Sequence, residues 1–361
     1  SPEQSTTAEA AHLGLDPAAH GLLGAAVDLA GGRSGKLFTG RLSGRAQPWL
    51  AEQPDLDHRT PVPASVFVEL GLHVGDVLDC AALETLTIHA PLLLDEGRAA
   101  HLQVVTAPTA AGDGRHTFSV HARPEGLDAP WTLHAEGLVG HGTISEAPPA
   151  QAWPPAGAEE AEAGEAHELA LQDVTALWRH EGDVHAELMP TLDGEFDTSG
   201  FLLHPLLWEW AAQLARYAAD SEEVAQRAVM SWSGVRVYAE GADVLRVSVR
   251  RTDKDVFALH LADHSGRTVA TVDAITLGEA VPEQPRPGGG EALYRVDWTP
   301  AALPEATSPI RWGSLGGQRP ADLATLDPTA VDAVLVPVGP ADGLSGGEPG
   351  DVSGGVPGGV L

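Results

Sequence analysis

At 361 residues the chain is long enough for two or three domains and a sizeable interior. Hydrophobic residues at 43% and charged residues at 20% match ordinary globular usage, which excludes a wholly disordered or a fibrous chain. The balance of 21 Lys+Arg against 51 Asp+Glu, a formal charge of −30, repels phosphate backbones and anionic lipid, so neither nucleic acid nor a membrane surface is expected as a partner.

The opening residues, SPEQSTTAEAA at 1–11, lack the basic start and apolar core of a secretion signal and read as a flexible tail. No apolar run of about 18 residues follows. A cytoplasmic protein, or an excised piece of one, is the expectation. Cys80 stands alone, which leaves no internal disulfide and no Cys-based zinc site.

From 12 to 145 several short strands surround one helix. KLFTGRLSG, ETLTIHAPLLL, AHLQVVTAP, RHTFSVHARP and WTLHAEGLV show alternation or β-rich runs bounded by Gly, Pro or Asp. PASVFVELGLHVGDVL predicts a helix after Pro61 and Pro63, with Val66, Phe67, Leu70 and Val74 on one face. Pro, Gly, Ala and Glu then crowd residues 146–166, which read as a linker.

Residues 167–280 repeat the plan. TALWRHEG and DVHAELMP predict a hairpin, and HPLLWEWAAQLARYAA a helix with Pro205 in its first turn. WSGVRVYAE, DVLRVSVRR, VFALHLADH and TVATVDAITLGE follow as strands. Two αβ units in tandem suggest a pseudo-duplicated domain with its site where they meet. VPEQPRPGGGEA at 281–292 marks a second break, and the Gly-rich end predicts a flexible tail.

The order HGLLGAAVDLAGG, QPWLAEQ, VPASVFVELGLHVGD, LTIHAPLLL, PWTLHAEGLV resembles the first half of the dehydratase domain of modular type I polyketide synthases. LQDVTALWRHEGDVHAEL, LHPLLWEWAAQLA and MSWSGVRVYAEGADVLRV resemble its second half, so the likeness covers roughly residues 12–280. It implies an α+β double hotdog, two tandem units each curling an antiparallel sheet around a central helix, with a substrate tunnel between them. It also implies no cofactor of the domain's own, because the substrate rides on the phosphopantetheine of an acyl carrier protein. Partners would be that carrier, neighbouring synthase domains and a second copy in a homodimer. ALYRVDWTP at 292–300 resembles the start of the ketoreductase structural subdomain that follows in such synthases, so residues 281–361 read as linker, subdomain start and tail. The scarcity of lysine, present only at 36 and 254, fits a GC-rich, actinobacterial source, and the family's setting is antibiotic biosynthesis.

Dehydration of a β-hydroxyacyl thioester needs a base for the α-proton and an acid for the departing hydroxyl, each worth about 10²- to 10⁴-fold. The family's base is a His in HxxxGxxxxP, and its acid an Asp in HPxLLDxxxQ. Laid on PWLAEQPDLDHRTPVPA, the His position falls on Gln53, the Gly position at or beside Asp57, and Pro63 fits only with one inserted residue. An amide has no proton-accepting state near neutral pH. Laid on HPLLWEWAAQ, the Asp position falls on Glu209, while His204, Pro205 and Gln213 match. A Tyr-Gly-Pro stretch of the family falls on His167, Glu168 and Leu169 and is lost. The resemblance therefore implies catalytic positions at Gln53 and Glu209 from which dehydration has gone, with Trp49, Pro63, His204, Trp208 and Gln213 lining the substrate path.

Other chemistries are weaker. His58 could act as a displaced base, although the run 57–60 reads as a loop before the helix; Glu52 reads as a supporting acid. Glu209 could serve as a lone acid or base in a repurposed isomerase or cyclase. His89, His101, His116, His121 and His134 are scattered along strands without metal-ligand spacing. PRPGGGEA sits in linker, so it supports no nucleotide site. Arg246, Arg250 and Arg251 form the only dense basic cluster for docking an acidic carrier.

Overall fold

The computed structural model describes residues 14–30, 35–52, 59–141, 146–161, 174–189, 198–219, 227–240, 242, 244–279, 312–314 and 333–335. Chain contacts divide it into a unit over Ser1–Glu291 and another over Ala292–Leu361. In the second unit the described residues are β17 (Trp312–Ser314) and β18 (Ala333–Leu335), a parallel pair. ALYRVDWTP lies outside the described residues.

In the first unit each half bends a sheet around a helix. The N-terminal half has β1 (Asp16–Pro17), β2 (Leu23–Asp28), β3 (Lys36–Leu42), a 3-10 turn (Pro48–Glu52), β4 (Arg59–Val62), α1 (Ser65–Val77), β5 (Ala82–Ile88), β6 (Leu92–Asp95), β7 (Ala100–Pro108), β8 (His116–Pro124) and β9 (Thr132–Gly140). The C-terminal half has β10 (Glu159–Glu160), β11 (Val174–His180), β12 (Asp183–Leu188), α2 (Pro205–Tyr217), β13 (Arg227–Val237), β14 (Leu245–Asp253), β15 (Val256–Ala262) and β16 (Thr268–Glu279). The order across the large sheet is β1-β2-β3-β7-β8-β9-β5-β13-β16-β15-β14-β12-β11-β10, so the halves join through β5 and β13, with Leu86 opposite Trp232. This is the double hotdog that the resemblance implies.

Both helices lie where the periodicity puts them. Ser65 to Gly75 of α1 are all buried, the environment of a helix wrapped by a sheet rather than one with a wet face. Buried Pro63 stands two residues ahead of it, and its carbonyl accepts the Val66 N–H. α2 has Pro205 at its first turn, where a missing N–H costs nothing. Gly71 lets the Phe118 ring approach α1: a Cβ there would stand 2.7 Å from Phe118 Cζ and 3.1 Å from Leu83 Cδ1. Gly71→Ala should therefore overpack this contact and cost about 1–3 kcal/mol despite the better helix propensity, read from the urea midpoint.

Several features differ from the sequence reading, among them Arg59 and Thr60, which read as loop and open β4. ETLTIHAPLLL splits after Ile88, because the N–H groups of His89 and Ala90 both turn to the His134 carbonyl and Pro91 has none to give. β6 then pairs with β4 in a separate ribbon. β2, in an Ala-rich stretch, is not among the predicted strands. The Pro- and Ala-rich stretch runs along the C-terminal half. Trp153 packs edge-on against Trp178 and His185 at 5.7 and 5.9 Å, Thr268 Oγ1 donates to the Pro148 carbonyl, and β10 pairs with β11.

Candidate active site where the halves meet

The segment that leads into α2 docks on the N-terminal half. Gly21 N–H donates to the Gly200 carbonyl at 2.9 Å. Phe201 lies edge-on to His20 at 5.4 Å and to His204 at 4.9 Å. His204 in turn meets Trp49 at 5.2 Å, and His20 meets His73, which meets Phe38. Six rings, Trp49–His204–Phe201–His20–His73–Phe38, thus form one continuous seam between the halves. All but the tilted His20–His73 pair are edge-to-face, a contact favourable beyond the area it buries.

Beneath the seam lies Glu69, with no exposed surface. Its Oε1 accepts the Leu202 N–H at 2.6 Å and its Oε2 the Leu203 N–H at 3.3 Å; His20 Nε2 stands 3.9 Å from Oε1. Burial pushes this carboxyl up to about 8, against the pull of the two amides. Burial, and then the neighbouring His73, lowers His20 to about 3, and burial also lowers His73.

The hydrogen bonds decide what these imidazoles can do. His204 caps α2, its Nδ1 accepting the Leu206 N–H at 3.2 Å, and His20 Nδ1 accepts the Leu22 N–H at 3.1 Å. A neutral ring whose Nδ1 accepts must carry its hydrogen on Nε2. Both rings therefore offer a donor and no lone pair. His73 keeps an unpaired Nε2, but it is enclosed beside His20 and Phe38.

Trp49 and His204 of the predicted set come together here. Glu209 is 5% exposed and accepts from Arg216 at 3.3 Å, two turns along the same helix, so it is an ion-paired carboxylate rather than a lone one. Trp208 is fully buried and packs edge-on against Trp232 at 6.0 Å, the surroundings of a core anchor. Gln213 is half-buried one turn beyond Glu209, and Pro63 sits at the entry to α1. Gln53 and His58, with His167, Glu168 and Leu169, lie outside the described residues. Glu69, His20 and His73 were not singled out from the sequence. The available signal was a Glu and a His at i and i+4 in an otherwise apolar helix.

A crevice of about 330 Å³ opens between the halves at the far end of α1, lined by Leu72, Asp76 and Cys80 on one side and Leu202, Tyr238 and Glu240 on the other. A second cavity of about 140 Å³ lies among β6, β7, β8 and β9. Neither is lined by Trp49, His204 or Glu209. Among the described residues no group of His, Cys, Asp and Glu is placed to hold a metal, and no helix is long and apolar enough to cross a membrane.

Two hotdog units sharing one sheet, with a His-Pro start to the second central helix and a Glu in its first two turns, define the class: a double-hotdog domain of the dehydratase type. Residues 20–123 match the family described as the polyketide synthase dehydratase domain. The dehydratase domain from the borrelidin and fluvirucin polyketide synthases is 32% identical, with a TM-score of 0.69 over 76% of this chain and 100% of that one. The erythromycin dehydratase is 35% identical, with a TM-score of 0.65 over 74% and 99%. Polyketide synthase GfsB of Streptomyces halstedii is 38% identical over 334 residues, 85% of this chain, and erythronolide synthase EryA2 of Saccharopolyspora erythraea 35% over 358 residues, 93% of it. The chain belongs to the dehydratase domains of modular polyketide synthases. It spans only 6% and 10% of the length of those two synthases.

Proposed function

We propose that this is a dehydratase-like domain that no longer removes water from β-hydroxyacyl chains and serves its synthase as a spacer. It would stand as a cytoplasmic homodimer among neighbouring synthase domains, with an acyl carrier protein delivering the chain on phosphopantetheine. The observation that carries this reading is the want of an accessible proton acceptor among the described residues of the seam. Gln53 falls at the sequence position of the base, and two imidazoles of the seam, His204 and His20, have their lone pairs bound by backbone N–H groups. The carboxylate at the acid position is held by Arg216. No cofactor is required by this reading.

A β-hydroxyacyl pantetheine thioester incubated with the protein should give no enoyl product above the uncatalysed rate by mass spectrometry. Turnover comparable with intact relatives overturns the proposal. Gln53→His with Glu209→Asp should stay at least about 10²-fold below those relatives, because the inserted residue before Pro63 and the lost Tyr-Gly-Pro stretch leave the dyad without its surroundings.

A second reading, a repurposed isomerase or cyclase, draws on the bifunctional dehydratase-cyclase domain of ambruticin biosynthesis, which is 35% identical with a TM-score of 0.67 over 73% of this chain and 99% of that one. It needs Glu209 presented to a ligand, whereas Arg216 and the helix core now surround it. Product formed from an acyl chain bearing an internal nucleophile, and lost in Glu209→Gln, would favour that reading over the first.

A further inference from the structure

We infer that Glu69 is a positioning residue: through the amides of Leu202 and Leu203 it fixes the segment from which α2 starts, and so sets where His204 and Glu209 stand against Trp49. The inference rests on reading the ring seam as the inherited dehydratase site.

The geometry is that of a clamp across the two halves. Glu69 projects from the middle of α1 and binds backbone 133 and 134 residues further on, in a segment with no helix or strand to fix it. Both carboxyl oxygens are used, one on each of two successive amides. His204 caps α2 directly after Leu203, so a shift of these amides moves the cap and the helix behind it. A carboxyl with no exposed surface persists only where its bonds are worth its desolvation.

Gly21 is the second jaw. A Cβ at this position would stand 2.3 Å from Phe201 Cζ, so the ring lies on bare backbone, and the Gly21 N–H bonds the residue before it. The titratable groups facing Glu69 are His20 from the segment before β2, which His73 of α1 flanks, and Glu240 from the loop after β13; the Trp208 indole of α2 also faces the carboxyl. Both imidazoles are kept neutral by burial, so no cation competes with the amides for the carboxyl.

Hydrogen exchange by mass spectrometry and ¹⁵N-leucine NMR test the clamp on the whole chain. Glu69→Gln keeps a carbonyl for Leu202 but turns an NH₂ toward the Leu203 N–H. Exchange over 199–210 should rise at least about tenfold, while peptides over 100–124 stay unchanged. In the wild type the Leu202 and Leu203 amide shifts should follow a titration with midpoint near 8, absent from Glu69→Gln; packing alone would not produce it. Should Glu69→Gln fail to fold, Gly21→Ala loosens the same peptide from outside the α1 core. Wild-type exchange over 199–210 in a folded Glu69→Gln or in Gly21→Ala, or amide shifts that do not titrate, overturns the inference. Enoyl formation by the wild type would instead sink the proposed function and leave these readouts standing.

Discussion

Trp232→Ala should lower stability by about 3–5 kcal/mol, read as a fall in urea midpoint with an unchanged m-value. Trp232 is 1% exposed at the middle of β13, opposite Leu86 on β5, and its ring meets Trp208 of α2 edge-on. Truncation removes the largest side chain on the strand that joins the halves and leaves Trp208 facing a void. The ring pair adds about 0.5–1.5 kcal/mol to the loss of buried area. The placement also bears on cooperativity. Backbone bonds between β5 and β13 make one sheet of both halves, so the two halves should unfold in a single transition, and the variant should shift that transition whole. Two separated transitions in either protein would mean that the halves fold as independent units.

Local chemistry explains why much of this fold is readable in the chain. β7 and β8 alternate buried and part-buried side chains because one face turns to the core, and Pro63 and Pro205 mark where the helices start. The split between β5 and β6 is not local. It depends on the His134 carbonyl, 45 residues beyond His89, capturing two consecutive amides. β10 is likewise beyond any pattern of period two: its two residues are strand because Trp153 anchors the stretch on Trp178 and His185. Side-chain anchoring across about 25 residues leaves no periodic trace.

The site divides the same way. Glu209 is legible as a position in His-Pro-Leu-Leu-Trp-Glu, and its partner Arg216 falls seven residues on, close to the same helical face, so the ion pair could be read from spacing alone. The tautomers of His20 and His204 could not, since each is set by an amide whose direction belongs to the fold. Glu69 is the strongest case. Nothing near it in sequence bonds its carboxyl, and the groups that do lie on the other half. The polar atoms of the seam are thus taken up by backbone groups that the fold, not the local sequence, supplies.

The pH dependence of stability should show the buried acid and the buried base as two opposing limbs. Glu69 has an ordinary value of 4.5 and is pushed to about 8 by burial, so between those values the native state holds a proton that the unfolded chain does not. Stability contributed by this group is then lost as pH rises, at about 1.4 kcal/mol per unit. His20 moves from 6.5 to about 3, again by burial first, so between 3 and 6.5 the unfolded chain holds the extra proton and stability is lost as pH falls. The slopes of these two groups cancel from 4.5 to 6.5. From 6.5 to 8 Glu69 should remove about 2 kcal/mol, and below 4.5 His20 acts without it, joined by the other buried imidazoles, such as His73, that burial also lowers. Surface carboxylates such as Asp113 and Asp263, held low by hydrogen bonds from Arg115 and Ser265, add to the acid limb in every variant and drop out of differences. Glu69→Gln should therefore flatten the alkaline limb and leave the acid one. His20→Asn, whose Oδ1 can accept the Leu22 N–H in place of Nδ1, should do the reverse. Urea midpoints from pH 4 to 8.5 check both, and an alkaline limb that survives Glu69→Gln would assign the proton to another group.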